Sequence, residues 1–264
     1  MYVIGIGPGH KDHLSHRAAH ILTTVDTIVG YSVYIDLICP IISDRQTIIS
    51  SGMKKERERA NAAIQTVLNG TSCALISSGD PGVYAMAGLV FEICIENNIQ
   101  VVADHTEKKE KHISQKSLCV EVISGIPAIC SGASLLGAPL MHDFAAISLS
   151  DLMTPWDTIE SRIEAAAKAD FVIVLYNPKS KKRTSNILRA QQIIMDYRNE
   201  NTPVGIVRSA MRENQKVCII PLKNLHTAPI DMQTTVFIGN SHTKIFGDFM
   251  VTPRGYSDKY NLAL

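Results

Sequence analysis

The chain is poor in three features that quickly assign a protein to a class: long apolar runs, paired cysteines and an excess of one charge. No apolar run reaches the roughly 20 residues that a membrane-spanning helix needs, and no signal peptide precedes the strand-like start at residues 2–4. The six cysteines form no C-x-x-C pair, and most lie in apolar runs, which indicates reduced, buried thiols. We therefore expect a cytoplasmic protein with no membrane partner.

The charge balance and the aromatic content argue against nucleic acid as a partner. The 26 Lys and Arg residues against 25 Asp and Glu residues leave a net charge of +1, which excludes a globally basic nucleic-acid binder and leaves room for a local patch. RNA binding favours basic residues interleaved with exposed aromatics, and aromatics make up only 6% of this chain. We therefore expect no nucleic-acid partner.

Alternating strand-like and helix-like segments predict an α/β fold in two domains. In the first half, strands are predicted at residues 2–4, 27–30, 74–76, 100–103 and 118–123, and helices at 14–25, 56–68 and 128–137. In the second half, strands are predicted at 145–149, 171–176, 203–207, 216–221 and 234–238, and helices at 159–169 and 185–197. The charged segment 104–116 is predicted as a solvated loop.

Ala138-Pro139 ends the last helix of the first half, so we place the domain boundary there. The predicted domains are residues 1–138, an N-terminal α/β domain with glycine-rich loops, and residues 139–264, a C-terminal α/β domain that closes the cofactor site. Such domains are expected to face one another across a cleft.

The stretch from Ala74 to Gly88 carries the clearest binding signal. Its apolar run is followed by Ser77 and Ser78 and then by the breaker cluster Gly79-Asp80-Pro81-Gly82. This order predicts a strand, a tight turn and a helix, and in open α/β sheets ligands bind at the carboxyl end of such strands. Gly79 and Gly82 let backbone approach a ligand, and Asp80 accepts hydrogen bonds from ligand hydroxyls. The alternative is an ordinary turn in which Asp80 caps the helix.

The first glycine turn, Gly5-Ile-Gly-Pro-Gly9, resembles a dinucleotide fingerprint only weakly. The pattern is G-x-G-P-G rather than G-x-G-x-x-G, and the acidic residue at the expected separation, Asp26, precedes the next strand. A ribose-binding carboxylate belongs at the strand's carboxyl end. The sequence therefore disfavours a nicotinamide dehydrogenase.

Three motifs together resemble the tetrapyrrole methylase family: Gly5-Ile-Gly-Pro-Gly9, Ser78-Gly-Asp-Pro81 and Val122-Ile-Ser-Gly-Ile126. Six more, in order along the chain, resemble the branch of that family that methylates C17 and contracts the ring. They are Gly30-Tyr-Ser-Val-Tyr-Ile-Asp-Leu37, Ser51-Gly-Met-Lys-Lys-Glu56, Gly137-Ala-Pro-Leu-Met-His-Asp143, Ser148-Leu-Ser-Asp151, Leu175-Tyr-Asn-Pro-Lys-Ser-Lys181 and Thr252-Pro-Arg-Gly-Tyr256.

The resemblance implies methyl transfer from S-adenosylmethionine to C17 of a precorrin-3 type tetrapyrrole, with ring contraction, in cobalamin biosynthesis. It also implies a homodimer of two-domain subunits. Carried over by position, the expected cofactor contacts are Pro8, Ser78, Gly79, Asp80, Val83, Tyr84, Pro127, Ala128, Asn177, Ser209, Ala210, Asn240 and His242. Pro127 departs from the family pattern, since it offers neither a hydroxyl nor an N–H. For Asn177 the alternative is a helix N-cap before Pro178.

The substrate's carboxylate arms call for local positive charge. Lys54, Lys55 and Arg57 are the predicted substrate-binding residues, because they follow a glycine turn and begin a helix, where cations are unfavourable without an anion. Arg59 follows in the same cluster. Two further basic groups are candidates, namely Lys179, Lys181, Lys182 and Arg183 after Asn177-Pro178, and Arg208 and Arg212 near a later strand end.

Histidines supply the remaining candidates. Ring contraction moves protons, and His10, beside the first glycine turn, is the predicted catalytic residue, with an ordinary surface histidine as the alternative. His13, His16 and His20 share one face of the first helix, but no carboxylate or cysteine completes a metal set, so we expect no metal.

Three other functions stay open at this point. One alternative within the family is another tetrapyrrole methylase, of the C11 or uroporphyrinogen type, and a more distant alternative is a ribosomal-RNA methyltransferase of the same fold. A non-catalytic S-adenosylmethionine-binding module is the alternative outside enzymes. The sequence also leaves open whether the substrate contains cobalt.

Overall fold

The computed structural model describes residues 1–103, 117–180 and 183–260, without the side chains of residues 257 and 258. The predicted loop at 104–116 and the candidates Lys181 and Lys182 lie outside the described residues. Chain contacts divide the protein into two compact units, Met1–Pro127 and Ala128–Leu264.

The first unit is a parallel sheet flanked by helices. Its strands are β1 (Tyr2–Gly5), β2 (Thr27–Tyr31), β3 (Thr47–Ser51), β4 (Cys73–Ser77), β5 (Gln100–Ala103) and β6 (Ser117–Ile123). Its helices are α1 (His16–Thr24), α2 (Ser32–Ile38), α3 (Glu56–Leu68) and α4 (Met86–Glu96). The six strands pair in parallel in the order β3-β2-β4-β1-β6-β5, which puts their carboxyl ends on one edge.

Strand β4 shows why this sheet is covered on both faces. All five of its residues are buried, as expected of a central parallel strand. Cys73 and Leu75 pack with apolar residues of α3 and α4, whereas Ala74 and Ile76 pack with those of α1 and α2. The helices that follow β1 and β4 therefore lie on opposite faces of the sheet, and their strands are neighbours. This is a topological switch point, where open α/β sheets bind ligands.

The second unit contains a mixed sheet and a small additional one. It begins with α5 (Ala128–Leu136), β7 (Gly137–Ala138), β8 (Phe144–Ser148), α6 (Trp156–Lys168) and β9 (Val172–Tyr176). It continues with α7 (Asn186–Met195), β10 (Pro203–Arg208), β11 (Lys216–Pro221), β12 (Thr234–Ile238), β13 (Lys244–Phe246), β14 (Phe249–Val251) and α8 (Tyr256–Tyr260). The sheet orders are β11-β10-β12-β9-β8 and β13-β14-β7.

The two units divide earlier in the chain than the predicted boundary at residue 138. Helix α5 belongs with the second unit, because its residues Ile129 and Leu136 pack against Val174, Val207 and Phe237 of the mixed sheet. Gly132 makes this packing tight, since a β-carbon there would lie 2.6 Å from the Phe237 ring. The predicted α/β fold class is confirmed.

The cysteines differ in part from their prediction. Cys73 and Cys94 are buried, and burial raises the pKa of Cys73 to about 12. Cys39, Cys119, Cys130 and Cys218 are exposed, so the prediction of buried thiols is wrong for them, although all six are free. Within the described ranges, no helix is both long enough and apolar enough to cross a membrane.

Candidate active site

Three loops meet at the carboxyl edge of the first unit's sheet, after the neighbouring strands β4, β1 and β6. The Gly7 N–H donates to the Gly79 carbonyl at 3.1 Å, and the Gly79 N–H donates to the Gly7 carbonyl at 2.7 Å. The Ile6 N–H donates to the Ser77 carbonyl at 2.9 Å. The first two loops are therefore joined by backbone hydrogen bonds beyond the ends of their strands.

Glycine is required where these loops touch. A β-carbon on Gly5 would lie 2.8 Å from the Gly125 nitrogen, and one on Gly125 would lie 2.6 Å from the Gly5 oxygen. Both would also collide with the Gly79 carbonyl oxygen. Gly79 itself has a φ of +68°, a left-handed conformation that favours glycine. Gly5 and Gly125 therefore leave the room that the Gly79 carbonyl occupies, and contact of Gly79 with a ligand stays a prediction.

Asp80 connects two of the loops through its carboxylate. Its Oδ1 accepts the Gly82 N–H at 2.8 Å, and its Oδ2 accepts the Gly125 N–H at 3.2 Å. The alternative that Asp80 caps the helix is wrong, because α4 begins after Ala85 and has no side-chain cap. Each carboxylate oxygen keeps a further lone pair, so contact with a ligand stays a prediction.

Val83 and Tyr84 form an exposed apolar surface on this turn. The spacing of apolar residues in the sequence predicts that Val83 lies on the helix. This prediction is wrong, because α4 begins only at Met86. Tyr84 has a φ of 52°, which is unusual for a bulky residue and is typical of functional turns. Their exposed fractions are 37% and 54%, so both side chains are available to a ligand.

Ser77 and Ser78 place hydroxyl groups at the start of the same turn. Ser77 is only 4% exposed, and its Oγ has no hydrogen-bond partner within the part of the chain that the structure describes. Ser78 Oγ lies 3.5 Å from the Gly7 carbonyl, at the limit of a hydrogen bond. The Ser77 hydroxyl is thus the orphaned polar atom of this edge.

His10 and Pro8 lie in the loop that follows β1. Pro8 is buried, whereas His10 is exposed. The His10 Nδ1 accepts the Asp12 N–H at 3.3 Å and caps the short 3₁₀ turn Lys11–His13. The Asp12 carboxylate lies 3.5 Å from that same atom, a contact that would require a protonated Nδ1. Proton transfer by His10 stays a prediction.

The predicted substrate-binding residues Lys54, Lys55 and Arg57 differ in whether their side chains form ion pairs. Lys55 pairs with Glu58 at 2.8 Å, and Arg57 binds both carboxylate oxygens of Glu96 at 2.7 Å. Lys54 is exposed and has no partner in the described ranges, and its φ is 66°. It follows β3, so it lies at the carboxyl edge of the sheet.

Arg59 has a role that the sequence does not reveal. It is 7% exposed, and its guanidinium donates to the Ser51 Oγ at 3.0 Å and to the Gly52 carbonyl at 2.8 Å. It also lies 5.8 Å from the centre of the Tyr31 ring, a cation–π distance. Arg59 therefore fixes the turn that leads to Lys54.

In the second unit, Asn177, Ser209 and Ala210 lie at one edge of the mixed sheet. Both β9 and β10 pair antiparallel with β12, so they run in the same direction and end at the same edge. Asn177 and Ser209 have φ values of 49° and 50°. The helix N-cap alternative for Asn177 is wrong, since the next helix, α7, begins at Asn186. The Asn177 carbonyl instead accepts a hydrogen bond from Arg183 at 3.2 Å.

Asn240 and His242 lie at the opposite end of that sheet. Strand β12 runs antiparallel to β9, with Ile238 opposite Ile173, so the chain after β12 emerges where β9 begins. Asn240 is buried and accepts hydrogen bonds from the His242 N–H and the Thr243 hydroxyl. These residues therefore lie at the other end of the sheet from Asn177 and Ser209, and their contact with the cofactor stays a prediction.

Pro127 and Ala128 lie where the two units join along the chain. The hydroxyl of Tyr176, at the end of β9, accepts the Ile129 N–H at 2.8 Å. This hydrogen bond satisfies a first-turn N–H of α5, which has no partner within the helix. Tyr176 therefore fixes the helix start beside Ala128, a role without a sequence signal.

His13, His16 and His20 do not form a metal site in the structure. His13 lies in the 3₁₀ turn, and the other two are exposed on α1. In the described part of the chain, no group of three His, Cys, Asp or Glu side chains is placed to hold a metal ion.

A parallel sheet with glycine loops packed at its switch point, joined to a mixed α/β unit, defines a ligand-binding α/β protein of two units. Residues 1–226 match the family of tetrapyrrole (corrin/porphyrin) methylases, and the chain belongs to that family.

Relatives extend this finding along nearly the whole chain. It is 49% identical over 262 residues to the cobalt-factor III methyltransferase of Priestia megaterium, covering 99% of this chain and 46% of that protein. It is 43% identical over 257 residues to the probable cobalt-factor III C(17)-methyltransferase of Salmonella typhimurium, covering 97% of this chain and 98% of that protein. The chain thus spans less than half of the first relative and nearly all of the second.

A solved structure shows the same fold at lower identity. The crystal structure of the methyltransferase CobJ matches with a TM-score of 0.83 and 31% sequence identity, covering 96% of this chain and 98% of that one. The predicted family is therefore confirmed.

Proposed function

We propose that this protein transfers a methyl group from S-adenosylmethionine to C17 of a precorrin-3 type tetrapyrrole, with ring contraction, in cobalamin biosynthesis. The observation that carries the proposal is similarity at 49% and 43% identity, over nearly the whole chain, to a protein named cobalt-factor III methyltransferase and one named probable cobalt-factor III C(17)-methyltransferase. Their names favour the cobalt-containing substrate, cobalt-factor III, over its metal-free counterpart.

The first unit's carboxyl edge fits S-adenosylmethionine. Val83 and Tyr84 offer apolar and aromatic surface, and an aromatic ring attracts a cation such as a sulfonium. Ser77 supplies an orphaned hydroxyl beside that surface, and Asp80 keeps free lone pairs. Together with Pro8, Ser78 and Gly79, these residues form the proposed cofactor wall. Pro127, Ala128, Asn177, Ser209 and Ala210 stay predicted contacts.

The cofactor supplies a methyl group that is already electrophilic. The protein's own residues therefore mainly bind and orient the two reactants and exclude water from the site. Holding two reactants in line is worth on the order of 7–11 kcal/mol. The rigid packing of Gly5, Gly79 and Gly125 suits this role, because it fixes the loops that carry the cofactor wall.

The substrate's acidic arms need cations near the same edge. We propose Lys54 as the principal contact of the set Lys54, Lys55 and Arg57, because it is the one without a carboxylate partner among the described residues. Exposed ion pairs such as Lys55–Glu58 are weak, so Lys55 and Arg57 can still exchange their partners for a substrate arm.

The proposal also includes a homodimer acting in the cytoplasm on a small-molecule substrate, without nucleic acid or membrane. Light scattering of the purified protein tests the dimer, and cell fractionation tests the compartment.

Turnover tests the proposed function. The protein is incubated with labelled S-adenosylmethionine and, separately, with cobalt-factor III, metal-free precorrin-3B and uroporphyrinogen III, and products are identified by mass spectrometry. We expect one added methyl group with cobalt-factor III. Methylation of uroporphyrinogen III alone would assign another branch of the family, and binding of the cofactor without any turnover would assign a non-catalytic module.

A further inference from the structure

The second unit contains an open cavity of about 940 Å³ that the sequence does not predict. Strands β10 and β11 line it through Ile206, Arg208 and Lys216, and the segment from Ala228 to Asp231 lines it from another side. Lys179, which follows β9, completes the lining. The structure thus brings together Lys179 and Arg208 from two separate predicted basic groups and adds Lys216.

The charge of this cavity is positive, and much of it is unpaired. Lys179 and Lys216 have no carboxylate partner among the residues that the structure describes. The Nε of Arg208 donates to Asp231 at 2.6 Å, and among the described residues its two Nη groups have no carboxylate partner. Arg208 and Lys216 are also direct cross-strand neighbours, and like charges in that position are destabilising without an anion between them.

Asp231 holds Arg208 in place rather than cancelling the cavity's charge. Burial alone would raise the pKa of Asp231, but hydrogen bonds from Arg208, the Gln233 N–H and Thr234 outweigh it and keep the pKa below its usual value. The carboxylate therefore stays ionised at neutral pH. The cavity therefore contains one carboxylate, Asp231, and three cations, Lys179, Arg208 and Lys216. This excess of positive charge favours a negatively charged ligand.

The volume of the cavity and its apolar lining indicate which class of ligand it can bind. Ile206, Pro229 and Ile230 give the cavity an apolar wall, and its volume lies at the upper end of the range for organic ligands. A single carboxylate or phosphate would leave most of this space unfilled. The fitting class is a large, partly apolar molecule that carries several carboxylates.

We propose that this cavity binds the acidic side arms of the tetrapyrrole through Lys179, Arg208 and Lys216. The inference rests on the proposed function, which supplies a substrate with acetate and propionate arms. Arg208 directly precedes Ser209, and Lys179 follows Asn177 by two positions, so two cations of the cavity are close in sequence to predicted cofactor contacts of this unit.

The test is a double variant of the full chain, Lys179→Ala with Lys216→Ala. Its matched control is Lys168→Ala with Lys244→Ala, which removes the same charge from exposed positions of the same unit outside the cavity. Uroporphyrin III, a stable porphyrin with acidic arms around its rim, is titrated by fluorescence quenching at two salt concentrations. S-adenosylmethionine is titrated separately by calorimetry.

We expect the double variant to bind uroporphyrin III at least roughly tenfold more weakly, with a reduced salt dependence, because two charge-assisted contacts are lost. The control variant should bind it as the unaltered protein does, and both variants should bind S-adenosylmethionine normally. Equal porphyrin affinity in the double variant, equal weakening in the control, or no porphyrin binding by the unaltered protein would overturn the inference. Failure of the unaltered protein to bind S-adenosylmethionine would instead contradict the proposed function.

Discussion

At the scale of single residues, Gly125 is the position with the least room for a side chain. Its β-carbon would collide with the Gly79 and Gly5 carbonyl oxygens, and backbone cannot move aside as a flexible side chain can. We predict that Gly125→Ala destabilises the protein by about 1–3 kcal/mol, the usual effect of overpacking. Urea denaturation measures this change.

Gly88→Ala is the matched control for that variant. Gly88 is exposed within α4, where a β-carbon meets nothing within 4 Å. Alanine is a better helix former than glycine, so this change should stabilise the protein by about 0.5–1 kcal/mol. Equal effects of the two substitutions would show that the loops do not pack as described.

Asp80 allows the contact between two loops to be broken selectively. In Asp80→Asn the remaining carbonyl oxygen still accepts the Gly82 N–H, but the new amide cannot accept the Gly125 N–H. We predict a loss of about 0.5–1.5 kcal/mol of stability and faster amide hydrogen exchange at Gly125. Asp36→Asn, on the exposed side of α2, is the control. Unchanged exchange at Gly125 in Asp80→Asn would refute the bridging role.

At the scale of elements, the sequence predicts the buried strands and the longest helices well. Helix α3 and strands β5, β11 and β12 have the bounds that their apolar patterns indicate. The cause is burial, since a strand such as β4 must be apolar throughout when helices cover both of its faces.

The missed elements lack such a pattern. Strand β3 is an edge strand with mostly exposed side chains, and α2 follows β2 directly without a turn signal. The hairpin of β13 and β14 is short and largely exposed. None of these elements buries enough apolar surface to require a regular spacing of apolar residues in its sequence.

Strand direction is the second limit, and it explains why the sequence does not show that Asn240 and His242 lie at the other end of the sheet from Asn177. An apolar run of five residues reads the same whether its strand is parallel or antiparallel to its neighbour, yet direction decides at which edge the following loop emerges. The sequence can therefore indicate that the loops of the parallel first unit lie at one end of its sheet, but it cannot assign the loops of the mixed sheet to one end or the other.

The edge that holds Asn240 is organised by Asp170, which accepts hydrogen bonds from the Ser241 N–H and hydroxyl and pairs with the buried Arg198 at 3.0 Å. Burial raises the pKa of Asp170, but Ser241, Arg198 and His242 outweigh it and lower the pKa below its ordinary value of 3.8. A lowered folded pKa stabilises the protein above the unfolded value, and this stability is lost as pH falls through the folded pKa.

We therefore predict that the free energy of unfolding decreases as the pH falls below about 3.8, and that Asp170→Asn weakens this dependence. Urea denaturation across an acidic pH series measures both curves. Parallel curves for the two proteins would show that Asp170 does not contribute.

At the scale of the whole molecule, most of the proposed cofactor and substrate contacts lie in loops of two α/β units. In each unit these loops follow the carboxyl ends of strands that run in the same direction. Motifs spread along the chain resemble one branch of the family, and relatives of 49% and 43% identity carry names from that branch. Sequence motifs do not predict the packing of Gly5 and Gly79 against Gly125. They also do not predict that Lys179, Arg208 and Lys216 line one cavity. Both features depend on contacts between segments that are distant in sequence.

The position of the transferred methyl group tests the central claim most directly. S-adenosylmethionine with a ¹³C-labelled methyl group is incubated with the protein and cobalt-factor III, and the product is examined by ¹³C NMR. We predict a single new labelled methyl resonance on a contracted macrocycle, assigned to C17 by long-range ¹H–¹³C correlations between the methyl group and the ring. A label at any other ring carbon, or a tetrapyrrole without label while the cofactor binds, would contradict the account.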